Sequence, residues 1–210
     1  AGGVRLLHDL LDNNGRDLTG IILDMVRYPN ADVSWRRPCH CQACRGQYTR
    51  LLGTDTVAAG DLERPAVAYL LADMRNRCIR QMVEQIRDVT KAKGLKLTVS
   101  ARADYHGAAV LEGQDWAAWA REGLVDMLNP MLYSNDAKHF EALVREAVAH
   151  GRGGVQVCPG IGIGTSHNQN TPEGMIEQMR ISKKLGSDGV VYFSSSSLNQ
   201  PFLEALQALK

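Results

Sequence analysis

No apolar run in this sequence approaches the ~20 residues that a bilayer-spanning helix needs, so no membrane span is expected. Net charge is nearly absent as well. The 24 lysines and arginines stand against 23 acidic residues, leaving +1. That balance argues against a nucleic-acid partner held by phosphate neutralisation. Internal repeats and low-complexity linkers are lacking, and the 210 residues are enough for one sizeable core. A single domain over residues 1–210 is the simplest expectation. No signal peptide is visible, and the chain opens on Ala1 rather than methionine. It therefore reads as a processed or excised segment whose compartment is not set by its start. Cysteine is scarce and odd in number, five in all, with three at positions 39, 41 and 44. Such a set is not a secreted disulfide framework.

Three familiar fingerprints also fail. The Gly160-Ile161-Gly162-Ile163-Gly164 run does not have the G-x-G-x-x-G spacing of a dinucleotide site. The serine run at 194–197 lacks a G-x-S-x-G elbow, and His167 has no evident partner in sequence, which argues against Ser–His catalysis. The cysteines do not show the C-x-x-x-C-x-x-C spacing of radical-enzyme clusters.

What is present is organised around Gly20-Ile21-Ile22-Leu23-Asp24-Met25-Val26-Arg27-Tyr28-Pro29. The aliphatic run predicts a strand buried on both faces, opened by Gly20 and closed by Pro29. Ile22, Asp24, Val26 and Tyr28 alternate onto one face. A carboxylate so near an apolar run needs a partner or a solvated strand end. In parallel sheets that end is where reactive groups collect.

Helical spacing predicts a first helix over Val4–Asn13, feeding this strand. From Asn30 to Gly60 the chain is polar, with Trp35, the cysteines and a short helical piece at Ala43–Leu52. A stretch this long in a compact domain is usually functional. Pro65 opens a long helix to about Lys93, with Val67, Leu70, Leu71, Met74, Cys78, Ile79, Met82, Val83 and Ile86 as its apolar stripe. The second strand, Leu95–Ala103, alternates Leu97, Val99 and Ala101 with Thr98, Ser100 and Arg102. One polar face on a buried strand suggests the inside of a barrel mouth. Asp115 is expected to cap a helix carrying Trp116 and Trp119. A third strand, Val125–Tyr133, places Asn129 and Tyr133 on one face, and Pro130 predicts a bulge or bend. A helix over 136–150 leads to a fourth strand, Val155–Ile163. A helix from Pro172 to Leu185 leads to a fifth, Gly189–Ser194, and an amphipathic helix over Pro201–Leu209 follows. Strands alternating with helices predict an α/β fold with a parallel sheet. Polar groups gather after each strand, as on the loop face of a barrel.

Several segments, taken together and in order, resemble the glycosyl-hydrolase-like family 10 barrels. Gly-Ile-Ile-Leu-Asp-Met-Val-Arg-Tyr-Pro is similar to that family's Asp-Gly-Ile-His-Leu-Asp-Tyr-Ile-Arg-Tyr-Pro. Supporting pieces are Cys-His-Cys-Gln-Ala-Cys, Leu-Val-Asp-Met-Leu-Asn-Pro-Met-Leu-Tyr, Cys-Pro-Gly-Ile-Gly-Ile-Gly and Gly-Val-Val-Tyr-Phe-Ser. The sequence departs at Ile22, where the family often has histidine. The resemblance implies a parallel (β/α) TIM-type barrel, entered about three strands in and so lacking its first three strands. It also implies a bacterial hydrolase of glycosidic bonds in polysaccharides, for which secretion or a periplasmic location would be natural. Five strands rather than eight would leave the cleft to be completed by an amino-terminal part or by self-association.

Glycoside hydrolysis needs two carboxyl groups, ~5–5.5 Å apart for retention and ~6.5–9.5 Å for inversion. Asp24 is the first candidate and Asp104, at the end of the second strand, the second. Glu112 and Asp115 lie further out, and Asp126 sits near a strand's entry end and reads as structural. Arg27 and Arg102 would hold a carboxylate ionised or bind an acidic sugar. Tyr28, Trp35, His106, Asn129 and Tyr133 would complete a carbohydrate-binding wall. No cofactor is required. Cys39, Cys41 and Cys44, with His40 between them, have spacing that suits a structural zinc or, failing that, free thiols or one disulfide. Two rival readings stand beside hydrolysis by carboxylates: a barrel that binds carbohydrate without cleaving it, and a metal-assisted hydrolase using the 39–44 loop.

Overall fold

A computed structural model describes residues 7, 11, 18–29, 38–151 and 154–209. In chain order its elements are β1 (Gly20–Leu23), α1 (Gln42–Leu52), α2 (Pro65–Ala92), β2 (Lys96–Val99), α3 (Tyr105–Leu111), α4 (Trp116–Arg121) and β3 (Met127–Leu128). Then come α5 (Ala137–Gly151), β4 (Gln156–Val157), β5 (Gly160–Gly162), α6 (Pro172–Lys184), β6 (Val191–Phe193) and α7 (Gln200–Gln207). Contacts divide the chain into two compact units. The first comprises Ala1–Asp24, Arg87–Ala103 and Trp116–Lys210; the second comprises Met25–Ile86 and Asp104–Asp115.

The first unit holds every described strand. β1, β2, β3 and β4 are neighbours in that order, each pair parallel, and β5 pairs in parallel with β6. Met131 bridges Arg102 on one side and Gly160 on the other. β4 and β5 are thus successive pieces of one strand, and the row holds five, as the sequence predicted. The predicted Val155–Ile163 strand is interrupted at Cys158 and Pro159 because proline has no N–H to give the ladder. Either side of it the ladder continues, Cys158 N–H to Leu128 O at 2.9 Å and Gly160 N–H to Pro130 O at 2.7 Å. Pro130 marks the predicted bend, with Leu132 N–H turning back to Pro130 O at 3.0 Å.

Strand alternation sorts the two faces. Leu97, Val99, Ala101, Leu128, Leu132, Ile161 and Ile163 are buried. The last three pack with Phe140 and Val144 of α5, Met175 and Ile176 of α6 and Phe202 of α7. α5 forms where Phe140, Val144, Ala147 and Gly151 recur at helical spacing on one buried stripe. The Asp136 carboxylate accepts the N–H groups of Lys138 and His139 at 2.8 and 3.0 Å before its first turn. Thr171 caps α6 by accepting Gly174 N–H at 3.1 Å, with Pro172 in the first turn as read from sequence.

β1 departs from expectation. Ile21 packs with Leu7, Leu11, Val89 and Leu95, but Ile22, on the other face, is 60% exposed. The strand is therefore covered on one face only. Among the described residues β1 pairs with β2 alone, so its other edge has no partner in the row. Of the predicted Val4–Asn13 helix, Leu7 and Leu11 are described and helical; the rest lies outside the described residues.

At the entry to β3, Asp126 is structural, as its position suggested. Both of its oxygens accept from Arg87, and one accepts Leu97 N–H at 2.8 Å. Burial works to raise its pKa, but these donors and the charges of Arg87 and Lys96 outweigh it and hold the carboxyl below its usual value.

The second unit has its own core: Cys44 and Tyr48 of α1, then Val57, Leu62, Val67, Leu71 and Met74, with Cys78 against them. The α2 positions are those of the predicted stripe, and α2 ends before Gly94, whose φ of 68° suits glycine. α3 was not foreseen. Its cap is Asp104, whose Oδ1 accepts Gly107 N–H at 3.1 Å. Asp115, expected as a cap, receives the Tyr105 hydroxyl at 2.9 Å.

The Arg87–Asp126 pair gives a first test. Removing the donor strands a largely buried carboxylate, so Arg87→Ala is expected to cost about 1–3 kcal/mol at neutral pH. Because the folded-state pKa is depressed, this contribution is present above the unfolded value of about 3.9 and is lost as pH falls through the folded one. Denaturant unfolding of both proteins should show the gap closing in acid; a gap independent of pH would contradict the assignment.

Candidate functional site

Strand register decides which side chains meet at the carboxyl ends of the first unit. Ile22 stands opposite Thr98, Thr98 opposite Met127, and Met127 opposite Gln156. Two residues further on, the same register aligns Asp24, Ser100, Asn129 and Cys158 on that face. Another step brings Arg102, Met131 and Gly160, joined by bridges. Beyond them the Tyr133 and Phe193 rings stack, with centroids 5.6 Å apart and planes 12° from parallel. Gly160 makes room for this pair. A Cβ there would lie 3.0 Å from Pro130 O and 3.4 Å from the Tyr133 ring.

Two features give this face chemical character. The Tyr133 hydroxyl is pushed up to about 12, by burial first and then by the Asp24 carboxylate. It therefore keeps its proton at neutral pH and is a hydrogen-bond donor within electrostatic reach of Asp24. Asn129 is only 7% exposed, yet among the described residues its Oδ1 has no hydrogen-bond partner. Its backbone is fully used, N–H to Val99 O and C=O from Ala101 N–H. A buried acceptor left unpaired costs about 1–3 kcal/mol, which a ligand hydroxyl would recover.

The loop after β5 is held by Asn168. Its Nδ2 donates to Gly162 O at 2.9 Å and Asn135 Oδ1 at 3.3 Å, and its Oδ1 accepts from Thr165 Oγ1 at 2.8 Å. The serine run is a short helical turn in which the Ser194 and Ser196 hydroxyls share a hydrogen bond of 2.7 Å. Phe193 was missed in sequence, where it read as strand interior. The available signal was its alternation with Val191 just before that run. Cavities at the entry ends of strands lie around Asp126, Val155–Val157 and Asp188–Val190, the last with a volume of 540 Å³.

Other expected site residues belong to the second unit. Arg27 pairs with Glu112 at 3.5 Å, their side chains 6% and 2% exposed. Glu112 therefore lies deep rather than further out. Tyr28 N–H donates to Glu112 O at 2.8 Å, and Arg75 lies over the Tyr28 ring at 5.6 Å. Burial, with Cys78 and Cys44 nearby, keeps the Tyr28 phenol well above its ordinary pKa. Asp104 and His106 are both exposed, with the His106 ring 5.6 Å from that of Tyr105. The sulphurs of Cys39, Cys41 and Cys44 all lie within 4.8 Å of one another. Trp35 lies outside the described residues.

No protein-family model matches the chain, and no curated protein matches it. Solved structures do. The PgaB (BpsB) glycoside hydrolase domain from Bordetella bronchiseptica superposes with a TM-score of 0.68 at 13% identity, over 90% of this chain and 56% of that one. Bee venom hyaluronidase gives 0.56 at 14%, over 98% and 73%. The catalytic domain of β-amylase from Paenibacillus polymyxa gives 0.56 at 11%, over 98% and 65%. The fold is that of a parallel (β/α) TIM-type barrel, as in these structures. The chain spans little more than half of the first neighbour.

The Asp24–Tyr133 relation yields a prediction. Removing the charge in Asp24→Asn should lower the Tyr133 pKa from about 12, read as phenolate absorbance in an alkaline titration against Tyr133→Phe. In the native protein the raised folded value means that this group's stabilisation is full below about pH 10 and declines as pH climbs toward the folded pKa. An unchanged titration in Asp24→Asn would separate the two groups.

Proposed function

We propose that the chain is a glycoside hydrolase of the family 10-like kind, acting on a poly- or oligosaccharide at the carboxyl ends of its strands. The observation that carries the reading is the grouping on one inner face. A carboxylate, a protonated phenol, a stacked aromatic pair and an unsatisfied buried acceptor together suit a polyhydroxylated ligand. Sugar hydroxyls would donate to Asn129 Oδ1 and Asp24 and accept from Tyr133. Phe193, half exposed, offers a flat apolar surface to a sugar's C–H face. Arg102, in the same register, would favour an acidic sugar.

Asp24 is the proposed reacting carboxylate, as nucleophile or base, and Asp104 is the partner that the sequence nominates for it. Asp104 is also a helix cap, and that engagement favours a second reading, in which the face binds carbohydrate without cleaving it. Arg27 and Tyr28 serve the packing of the second unit in the structure. The barrel fold, common to hydrolases of different polysaccharides, supports the reaction class but not a particular sugar.

Reducing-end release from a panel of neutral and acidic polysaccharides, run beside direct binding, tests both readings. Asp24→Asn is expected to lower turnover about 100- to 10,000-fold, with binding and the unfolding midpoint retained. Full turnover in that variant would overturn the assignment. Saturable binding by the native chain without release would establish the non-catalytic reading.

A further inference from the structure

The second unit holds a cluster that the carbohydrate reading does not use. Cys41 stands at the N-cap of α1 and Cys44 in its first turn, with Cys39 two residues before. The three sulphurs lie within 4.8 Å of one another, Cys39 and Cys41 exposed and Cys44 buried. The strand of chain carrying Cys39 is fastened to the helix carrying Cys44 from two sides. Tyr48 hydroxyl donates to Cys39 O at 2.9 Å, and Arg45 Nε donates to His40 O at 3.0 Å.

Sulphurs on one tetrahedral zinc, at Zn–S distances of about 2.3 Å, lie about 3.8 Å apart. The observed spread of at most 4.8 Å is therefore within about an ångström of coordination geometry, a closure that side-chain torsions alone supply. A disulfide would engage two of the three sulphurs and leave the third unexplained. Three thiolates around a dication carry net charge −1. The guanidinium of Arg75, buried nearby and within electrostatic reach of Cys44, has the complementary sign. Cys44 is also part of the small core of this unit, so a metal there would tie the 38–41 segment to that core.

We infer that Cys39, Cys41 and Cys44 form a trithiolate zinc site that fixes the segment before α1. A structural zinc takes four protein ligands; among the described residues no fourth cysteine, histidine or carboxylate joins the three, and X-ray absorption identifies the remaining one. On binding, each thiol gives its proton to solvent as its Zn–S bond forms, and nothing is oxidised or reduced. The site is structural and independent of the carboxylate chemistry.

The test uses the whole chain, stripped with a chelator under reducing conditions and titrated with Zn²⁺. One zinc per chain is expected, with X-ray absorption showing three sulphurs at about 2.3 Å and a fourth protein ligand. Co²⁺ in its place should give thiolate-to-cobalt charge-transfer absorption. Cys39→Ser and Cys41→Ser alter exposed residues and should fold without metal, yet bind zinc roughly a hundredfold more weakly or worse. Cys158→Ser should bind as the native chain does. Zinc should also slow proteolysis within residues 38–41 in the native protein and not in these two variants. Sub-stoichiometric zinc after reconstitution, or an unaltered affinity in Cys39→Ser and Cys41→Ser, would overturn the proposal.

Discussion

Everything proposed for the first unit depends on the parallel register between β1 and β2, in which Gly20 through Leu23 face Lys96 through Val99. A strand has a period of two, so a slip of one residue would exchange its faces. Ile21 would leave the cluster with Leu11, Val89 and Leu95, and Asp24 would turn into it. That exchange would bury a carboxylate among aliphatics, a cost several times larger than any single contact it could gain. Register and site are thus the same constraint. The apolar packing of one face positions the chemistry of the other.

The second unit is held differently. Its central electrostatic feature is a buried pair, Arg27 with Glu112, and its apolar core is small. Breaking one member of a buried pair costs far more than the pair contributes over an apolar replacement. The pair therefore makes the path of the chain after β1 specific more than it makes it stable. Met25 fits that view. Its φ of 55° is uncommon for a residue with a side chain, and it sits at the sharp turn out of the strand.

The parts legible in the sequence were those written in periodicity. The α2 stripe apart from Met82, which is 38% exposed, the alternation of Leu97, Val99 and Ala101 with polar partners, and the Pro172 helix start follow from local rules and appear as expected. Ile22 misled because an aliphatic run looks the same whether one face or both are covered; the difference lies in neighbours distant in sequence. α3 was hidden because Asp104 was valued as a carboxylate, not as the cap it also is. Asn129 was picked for its place on a strand face, but its unsatisfied Oδ1 is a three-dimensional fact. The pairing of Arg27 with Glu112 spans 85 positions (112 − 27), beyond any local pattern.

The exposed edge of β1 has a colloidal consequence. Leu18, Ile22 and Met25 all show large apolar surface, beside a strand that, among the described residues, is paired on one side only. The sequence pI is about 7.9, so in mildly alkaline buffer little long-range repulsion keeps two copies apart. Solubility should then pass through a minimum near that pH and be governed by contacts at this edge, improving on either side as charge of one sign accumulates. A single lysine in place of Ile22 would act on both factors together, interrupting the apolar strip while moving the point of zero charge upward.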